Sequence, residues 1–363
     1  MPISKIENSS IEDTAIHGAR NLIINGAMQV AQRSTSATGL GASSGYFTVD
    51  RINFGSSGTS AGRFTMTQTA DGPSGFANCL KLDCTTADAS VAATEWEYLQ
   101  YSVEAQDLQR LGFGSSDAES FVLSFYVKGN AAATYTIGAY QVDANRWMAQ
   151  TFSVTSSWNR VSLLWPKDVS GSIADDNGTG MSFYLTLQVG TNFTSGSVPA
   201  TWETLNTTDI ADSGQTQFFD STSRTLSITG LQMEIGEQAT PFEHESFAAT
   251  LQKCQRYFQK RVFTDADAIW VGANFNATSA YGVIEHIVTM RTEPSGAYSG
   301  TLADYKYYSA ANTKTPTAMA INNRNSENSS ETHIDWSGDL NSGGAGWLRA
   351  VGTNAFVQLE AEL

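Results

Sequence analysis

The stretch Phe121-Val-Leu-Ser-Phe-Tyr-Val-Lys-Gly-Asn130 decides the fold class. Phe121, Leu123, Phe125 and Val127 recur at a spacing of two, which puts all four on one face of an extended strand. Lys128-Gly129-Asn130 then turns the chain. The same alternation continues outward. Tyr135, Ile137 and Ala139 alternate with Thr134, Thr136 and Gly138, and Phe152 and Val154 lead into Trp158, Val161 and Leu163, with Trp158 expected in the core. Met181-Ser-Phe-Tyr-Leu-Thr-Leu-Gln-Val189 is rich in the aromatic and branched residues that suit strands. Leu226, Ile228 and Leu231 form a last strand that closes near Pro241. On the N-terminal side, Asn21-Leu-Ile-Ile-Asn-Gly-Ala-Met-Gln-Val-Ala-Gln-Arg33 opens on an apolar run and then alternates, so a strand is expected there too. Turns such as Asp71-Gly72-Pro73 and Asp176-Asn177-Gly178 punctuate the pattern, and no fixed period recurs. Short strands, many turns and no repeat predict an all-β sandwich of the jelly-roll kind over residues 21–243.

Past Pro241 the period changes. Phe247, Leu251, Cys254 and Phe258 fall at spacings of four, three and four, one face of a helix. Glu245 at its start and Lys260 and Arg261 at its end suit the helix dipole. The spacing predicts a single linking helix over 244–261. Residues 262–363 return to alternation, as in Ala268-Ile-Trp-Val-Gly272, Tyr281 to Val288 and Ala355 to Leu363, and predict a second, smaller β-sandwich. The span 322–346, dense in Asn, Ser, Glu and Gly, reads as loop. Residues 1–20 hold Ile3, Ile6, Ile11 and Ile16 among polar residues, too sparse for a core, and are expected to act as an attachment arm whose isoleucines dock on a partner.

Composition excludes several classes of function. The chain has 363 residues, of which 41% are hydrophobic and only 16% charged. Real cores are affordable, while so few charges suit subunits whose surfaces are partly covered by sister chains in a homo-oligomer. A net charge of −15 repels phosphate backbones, so no nucleic-acid partner is expected. No run of about 20 apolar residues exists, so no membrane insertion is expected, and the first residues lack the pattern of a secretory signal. Cys79, Cys84 and Cys254 lack CxxC spacing and read as buried thiols. His17, His244, His286 and His333 form no metal motif. Gly39-Leu-Gly-Ala-Ser-Ser-Gly45 lacks the Lys-Ser/Thr ending of a phosphate loop and reads as a flexible loop. Asp175, Asp176 and Asn177 offer calcium-type oxygens but read as turn residues. Paired carboxylates (Glu95 with Glu97, Asp175 with Asp176, Asp265 with Asp267, Glu360 with Glu362) have the composition of a glycosidase pair, but no motif ties them into a site, and they read as solvated. No catalytic residue, metal or cofactor is expected, and the chain is expected not to be an enzyme.

Several stretches resemble a known family. Asn21 to Arg33, followed by Tyr46-Phe-Thr-Val-Asp-Arg-Ile52, looks like the start of a carbohydrate-binding-module-like jelly roll of tailed-phage tail fibres. Leu226 to His244 resembles the last strand of the same domain, and Leu251-Gln-Lys-Cys-Gln-Arg-Tyr-Phe-Gln-Lys260 is similar to the helix that follows it there. Met290-Arg-Thr-Glu-Pro294 and Leu359-Glu-Ala-Glu-Leu363 look like the C-terminal sandwich of these fibres. The resemblance implies a virion structural protein of tail fibre or tail tip, made in the bacterial host cytoplasm. It also implies a common homotrimeric state, with phage tail or adaptor proteins as partners; it does not itself imply a binding activity, and a host-surface glycan partner is a separate expectation. The alternatives are a glycan-binding receptor module, a decoration or adaptor protein, and a polysaccharide depolymerase. Sugar recognition needs flat aromatic faces beside polar groups. Tyr140, Trp147, Trp165 and Trp202 are candidates in the first sandwich. Tyr305, Tyr307, Tyr308, Trp336 and Trp347 are the preferred host-glycan contacts, on loops of the second.

Overall fold

The computed structural model describes residues 20–310 and 313–363. The arm isoleucines Ile3, Ile6, Ile11 and Ile16 lie outside the described residues. The described chain is almost entirely antiparallel β, and it divides into two compact units, the first reaching Thr250 and the second running from Leu251 to Glu362.

In the first unit two sheets face each other as a jelly-roll sandwich. One has the spatial order Ser36–Leu40, Arg63–Thr69, Cys79–Thr86, Thr225–Ile235, Phe121–Gly129, Asn159–Trp165. The other runs Glu203–Thr204, Arg146–Val154, Ala133–Gln141, Thr179–Val189, Trp96–Glu104, Asn53–Ser57, Gly45–Tyr46. The four residues that opened the reading, Phe121, Leu123, Phe125 and Val127, all lie in the core between the sheets, with Tyr135, Ile137, Phe152, Phe183 and Leu185 facing them. Ring edges meet ring faces there, as where Phe125 and Phe152 stand at 88° with centroids 5.1 Å apart.

Several expectations need correction. Asn21 to Arg33 forms no strand: it turns, with Asn25 and Met28 at positive φ, while Ile23, Met28 and Val30 still plug the core. The Asn25 side chain holds this turn, accepting from the Val30 N–H at 2.9 Å and donating to the Val30 carbonyl at 2.9 Å. The Gly39 loop begins inside the strand Ser36–Leu40. Trp158 is half-buried at the surface, with the Lys128 ammonium 5.1 Å from its ring centre.

The helix is shorter than its spacing predicts, Phe247–Gln255. Phe258, Lys260 and Arg261 belong instead to the strand Phe258–Val262, whose pairing with Phe356–Glu360 outcompetes two further helical turns. Phe247 is 56% exposed and so sits on no buried face, whereas Cys254 and Phe258 are buried.

The second unit is the smaller sandwich. A three-stranded sheet (Phe258–Val262, Phe356–Glu360, Ser295–Tyr298) faces a seven-stranded one in the order Thr313–Lys314, Tyr305–Ser309, Ala345–Ala350, Ala268–Asn274, Ser279–Glu285, Ser329–Asp335, Ala318–Asn325. The span 322–346 is therefore strand within Ala318–Asn325, Ser329–Asp335 and Ala345–Ala350, and loop at 326–328 and 336–344. Some of its Asn and Ser residues occupy ladder positions, as where Ser330 lies opposite Ile284, while Ser326, Asn328, Ser337, Asn341 and Ser342 lie in the turns.

Candidate functional site

The strand Trp96–Glu104 lies inside the seven-stranded sheet of the first unit, so its alternation sorts residues onto two faces. Leu99, Tyr101 and Val103 enter the core. Trp96, Tyr98 and Gln100 point the other way and are half-buried. Their neighbours follow from register: Gln100 lies opposite Tyr184 on one side and Asn53 on the other, Tyr98 opposite Thr186 and Gly55, and Tyr184 opposite Gly138.

Glycine shapes this outer face. A Cβ on Gly55 would stand 2.1 Å from the Tyr98 ring, so that ring lies across the neighbouring strand where no side chain blocks it. Trp147 lies over Gly138 in the same way, where a Cβ would stand 2.0 Å from its ring. The rings then touch in series: Trp96 and Tyr98 have centroids 4.4 Å apart, Tyr98 and Tyr184 5.1 Å, and Tyr184 and Trp147 5.8 Å. Segment Gly190 to Ala211 folds over one end of the face, burying Trp147, Ala149, Val189 and Ile210 in a small cluster of their own. Phe193 of that segment stands 5.7 Å from Trp96. What remains beside the segment is a half-open strip of Trp96, Tyr98 and Tyr184.

Polar groups run alongside the rings. The Gln100 amide donates to the Ser102 hydroxyl at 3.1 Å and approaches the hydroxyls of Ser182 and Tyr184 at 3.4 Å. Ser102 and Ser182 share a hydrogen bond of 2.8 Å, and the Trp96 indole donates to Thr186 at 3.2 Å. Burial pushes the Tyr184 phenol up to about 12, and burial followed by the nearby Glu97 raises that of Tyr98, so both stay neutral hydrogen-bonding hydroxyls. Flat apolar rings flanked by amide and hydroxyl groups match the two sides of a sugar, its C–H face and its hydroxyl rim.

Under this strip lies a group that the carboxylate reading misjudged. Glu95 and Glu97 are not solvated: they are 2% and 0% exposed. Ser56 donates to Glu97 at 2.8 Å, and the Gln188 amide donates to Glu95 at 3.0 Å and to Asp88 at 3.4 Å. Burial pushes the Glu97 carboxyl up to about 7 against the Ser56 hydrogen bond, and Glu95 adds to the push. Burial also acts on Asp88, but N–H donors from Ala61 and Ser90, the Ser60 hydroxyl and the Gln188 amide outweigh it and hold that carboxyl below its ordinary range. Carboxylates enclosed in this way cannot flank a sugar ring. Asp176 accepts from the Gly178 N–H at 2.8 Å within a turn. Among the described residues no group of three or more His, Cys, Asp or Glu side chains is placed to hold a metal, and no helix is long and apolar enough to cross a membrane.

The residues named in advance divide sharply. Trp165 and Trp202 are core, Trp147 is covered, and Tyr140 sits half-buried on the outer face with its hydroxyl donating to Asn145 at 3.0 Å. In the second unit Tyr305, Tyr307 and Trp336 are buried at 0%, 1% and 4% exposure, which removes them from any exposed recognition surface. Tyr307 and Trp336 stack on each other inside, with centroids 4.9 Å apart. Tyr308 and Trp347 face outward. Trp96, Tyr98 and Tyr184 were missed. The alternation in Trp96-Glu-Tyr-Leu-Gln100 was the available signal.

No protein-family model matches the chain, and no curated protein matches it. Solved structures do. The CBM22-1 xylan-binding domain of Paenibacillus barcinonensis Xyn10C is 11% identical with a TM-score of 0.29, covering 62% of this chain and 100% of that one. TmCBM61 in complex with β-1,4-galactotriose is 7% identical with a TM-score of 0.29, covering 61% and 100%. The family 11 carbohydrate-binding module of Clostridium thermocellum, in complex with a mixed-linked tetrasaccharide, is 9% identical with a TM-score of 0.28, covering 58% and 99%.

Proposed function

We propose that the chain is a non-catalytic glycan-binding protein whose first unit holds a sugar chain along Trp96, Tyr98 and Tyr184, with the Gln100 amide at its hydroxyl rim. The observation that carries this reading is the run of half-open rings, one of them laid over Gly55, beside the Gln100 amide, on the outer face of a sheet whose other face is fully packed. Trp96 and Tyr184 pack with one edge on the covered cluster, and the part of the three rings left half-open is apolar surface that is costly to keep wet, which favours a ligand there. The enclosed carboxylates favour binding without hydrolysis.

Isothermal titration against neutral β-linked oligosaccharides tests it. Tyr98→Ala and Tyr184→Ala are each expected to weaken binding about tenfold, the loss of one stacked ring at about 1 to 2 kcal/mol. Gln100→Ala is expected to weaken it about fivefold through lost hydrogen bonds. Binding that these changes leave intact, or a glycan array with no positive member, overturns the proposal.

A second reading sets this binding in a tailed-phage tail fibre, as a homotrimer that attaches to the tail through residues 1–20. The ordered resemblance of Asn21 to Arg33, Leu226 to His244 and Leu251 to Lys260 favours it. Native mass spectrometry reading a trimer, and labelling of particles at the tail, support it; a monomer absent from particles refutes it.

A further inference from the structure

We propose that the outer face of the seven-stranded sheet in the second unit carries a separate site for sugars bearing a carboxylate, built from Tyr308, Trp347, Arg349 and Lys306. It rests on the glycan-binding reading for the class of ligand, but on different residues in a different unit.

Register assembles the site. Tyr308 lies opposite Trp347, and Lys306 opposite Arg349, on the paired strands Tyr305–Ser309 and Ala345–Ala350. Tyr305, Tyr307 and Leu348 take the inward positions at 1% exposure or less, so alternation turns these four side chains outward. The Tyr308 and Trp347 rings are parallel within 8°, with centroids 6.0 Å apart, and Trp347 is 38% exposed. The Arg349 guanidinium carbon stands 5.4 Å from the Tyr308 centroid and 5.6 Å from that of Trp347. Those contacts fix the guanidinium without consuming its hydrogen bonds. Its Nε is buried and has no hydrogen-bond partner.

Charge identifies the ligand. The chain holds 36 acidic residues against 21 Lys and Arg, so a basic side chain has carboxylates in excess to pair with. Lys128, Arg146, Arg224 and Lys314 each do pair with one. Arg349 and Lys306 have no ion-pair partner among the described residues, although they face each other as like charges across a ladder, an arrangement that destabilises a sheet. Two uncompensated cations beside parallel rings fit a ligand with an apolar face and an anionic edge. The fork of a guanidinium matches a planar carboxylate bidentately, and a uronic acid combines both features.

The test uses the full chain and two probes, an oligogalacturonide and its methyl ester, which keeps the ring and removes the charge. The acid is expected to bind about tenfold more tightly than the ester, with a preference that falls as salt rises. Arg349→Gln should abolish that preference, Arg349→Lys should retain part of it, and Trp347→Ala should weaken both probes at this site, while none of the three moves the binding of neutral β-linked oligosaccharides in the first unit that Tyr98→Ala weakens. Acid and ester binding alike, or a preference that survives Arg349→Gln, overturns the proposal while leaving the first unit's site standing. A Trp347→Ala change that dissociates an oligomer gives this face to a second copy and also overturns it. A chain that binds no glycan of either kind refutes both readings together, and a sulfated oligosaccharide that outcompetes the acid refutes the carboxylate assignment.

Discussion

Glu97→Gln tests the enclosed acids directly. Glu97 is fully buried, with Ser56 donating to one oxygen and no hydrogen-bond partner for the other. Burial raises its carboxyl from an ordinary 4.5 to about 7. Between these two values the unfolded chain releases the proton while the folded chain keeps it. The folded state then binds more protons, so stability falls as pH rises through this window and levels off above it. Taken over the whole window the loss is about 3 kcal/mol, an upper value because relaxation of the surroundings reduces it. Glutamine cannot ionise, keeps an oxygen for Ser56, and offers N–H where the carboxylate has an unpartnered oxygen. Urea unfolding at a series of pH values, followed by tryptophan fluorescence, should give wild type and variant equal stability near pH 4. At pH 8 the variant should be more stable by up to about 3 kcal/mol. Taking the difference between the two curves cancels the contribution of every other titrating group. A difference that stays constant from pH 4.5 to 8 refutes the reasoning.

Two further outcomes follow from the same packing. Gly55→Ala would place a methyl group within the Tyr98 ring, so it should displace that ring, cost about 1 to 3 kcal/mol of stability and weaken glycan binding at least as much as Tyr98→Ala; calorimetry and titration check both. Burial pushes the Cys79 thiol up to about 11 and also raises that of Cys84, so a maleimide at pH 7 should label neither in the native protein and both in urea.

Much of the fold was legible because its strands alternate cleanly. Phe121 to Val127 and Tyr135 to Ala139 each send one face into the core, and no competing pattern overlies them. The helix was misjudged at its end because spacing alone does not register a waiting partner: Phe258 fits the helical face, yet five ladder positions opposite Phe356–Glu360 claim it. The aromatic candidates were misjudged for a related reason. Tyr305-Lys-Tyr-Tyr308 was treated as one exposed cluster, whereas period two splits it into Tyr305 and Tyr307 inside and Lys306 and Tyr308 outside. At Trp96 to Tyr101 the pattern itself was ambiguous, since both faces carry large rings and one carries acids.

That ambiguity has a structural resolution. Across Trp96–Glu104 the pairing with Thr179–Val189 shifts between Thr186 and Gln188, leaving Leu187 as the extra residue of a bulge. The shift sets Glu97 opposite Gln188 on the inward side and keeps Trp96 and Tyr98 outward. A slip of one residue would exchange the two faces, sending the carboxylate into water but also expelling Leu99, Tyr101 and Val103 from the core and turning Gln100 and Ser102 inward, so over the whole strand the native register is the one hydrophobic patterning favours. The native register still carries a cost at the start of the strand. It holds a carboxyl in the interior whose ionisation destabilises the fold, and it holds two large rings half in solvent. Neighbouring strands enforce it, Gly55 by admitting the Tyr98 ring and Ser56 by donating to Glu97. A local cost sustained by its surroundings is what the proposed binding role predicts for this strand. A local cost recurs where Lys306 faces Arg349 in the second unit. Both places lie beside the proposed sugar contacts, which is where such a cost is expected if the binding proposals hold.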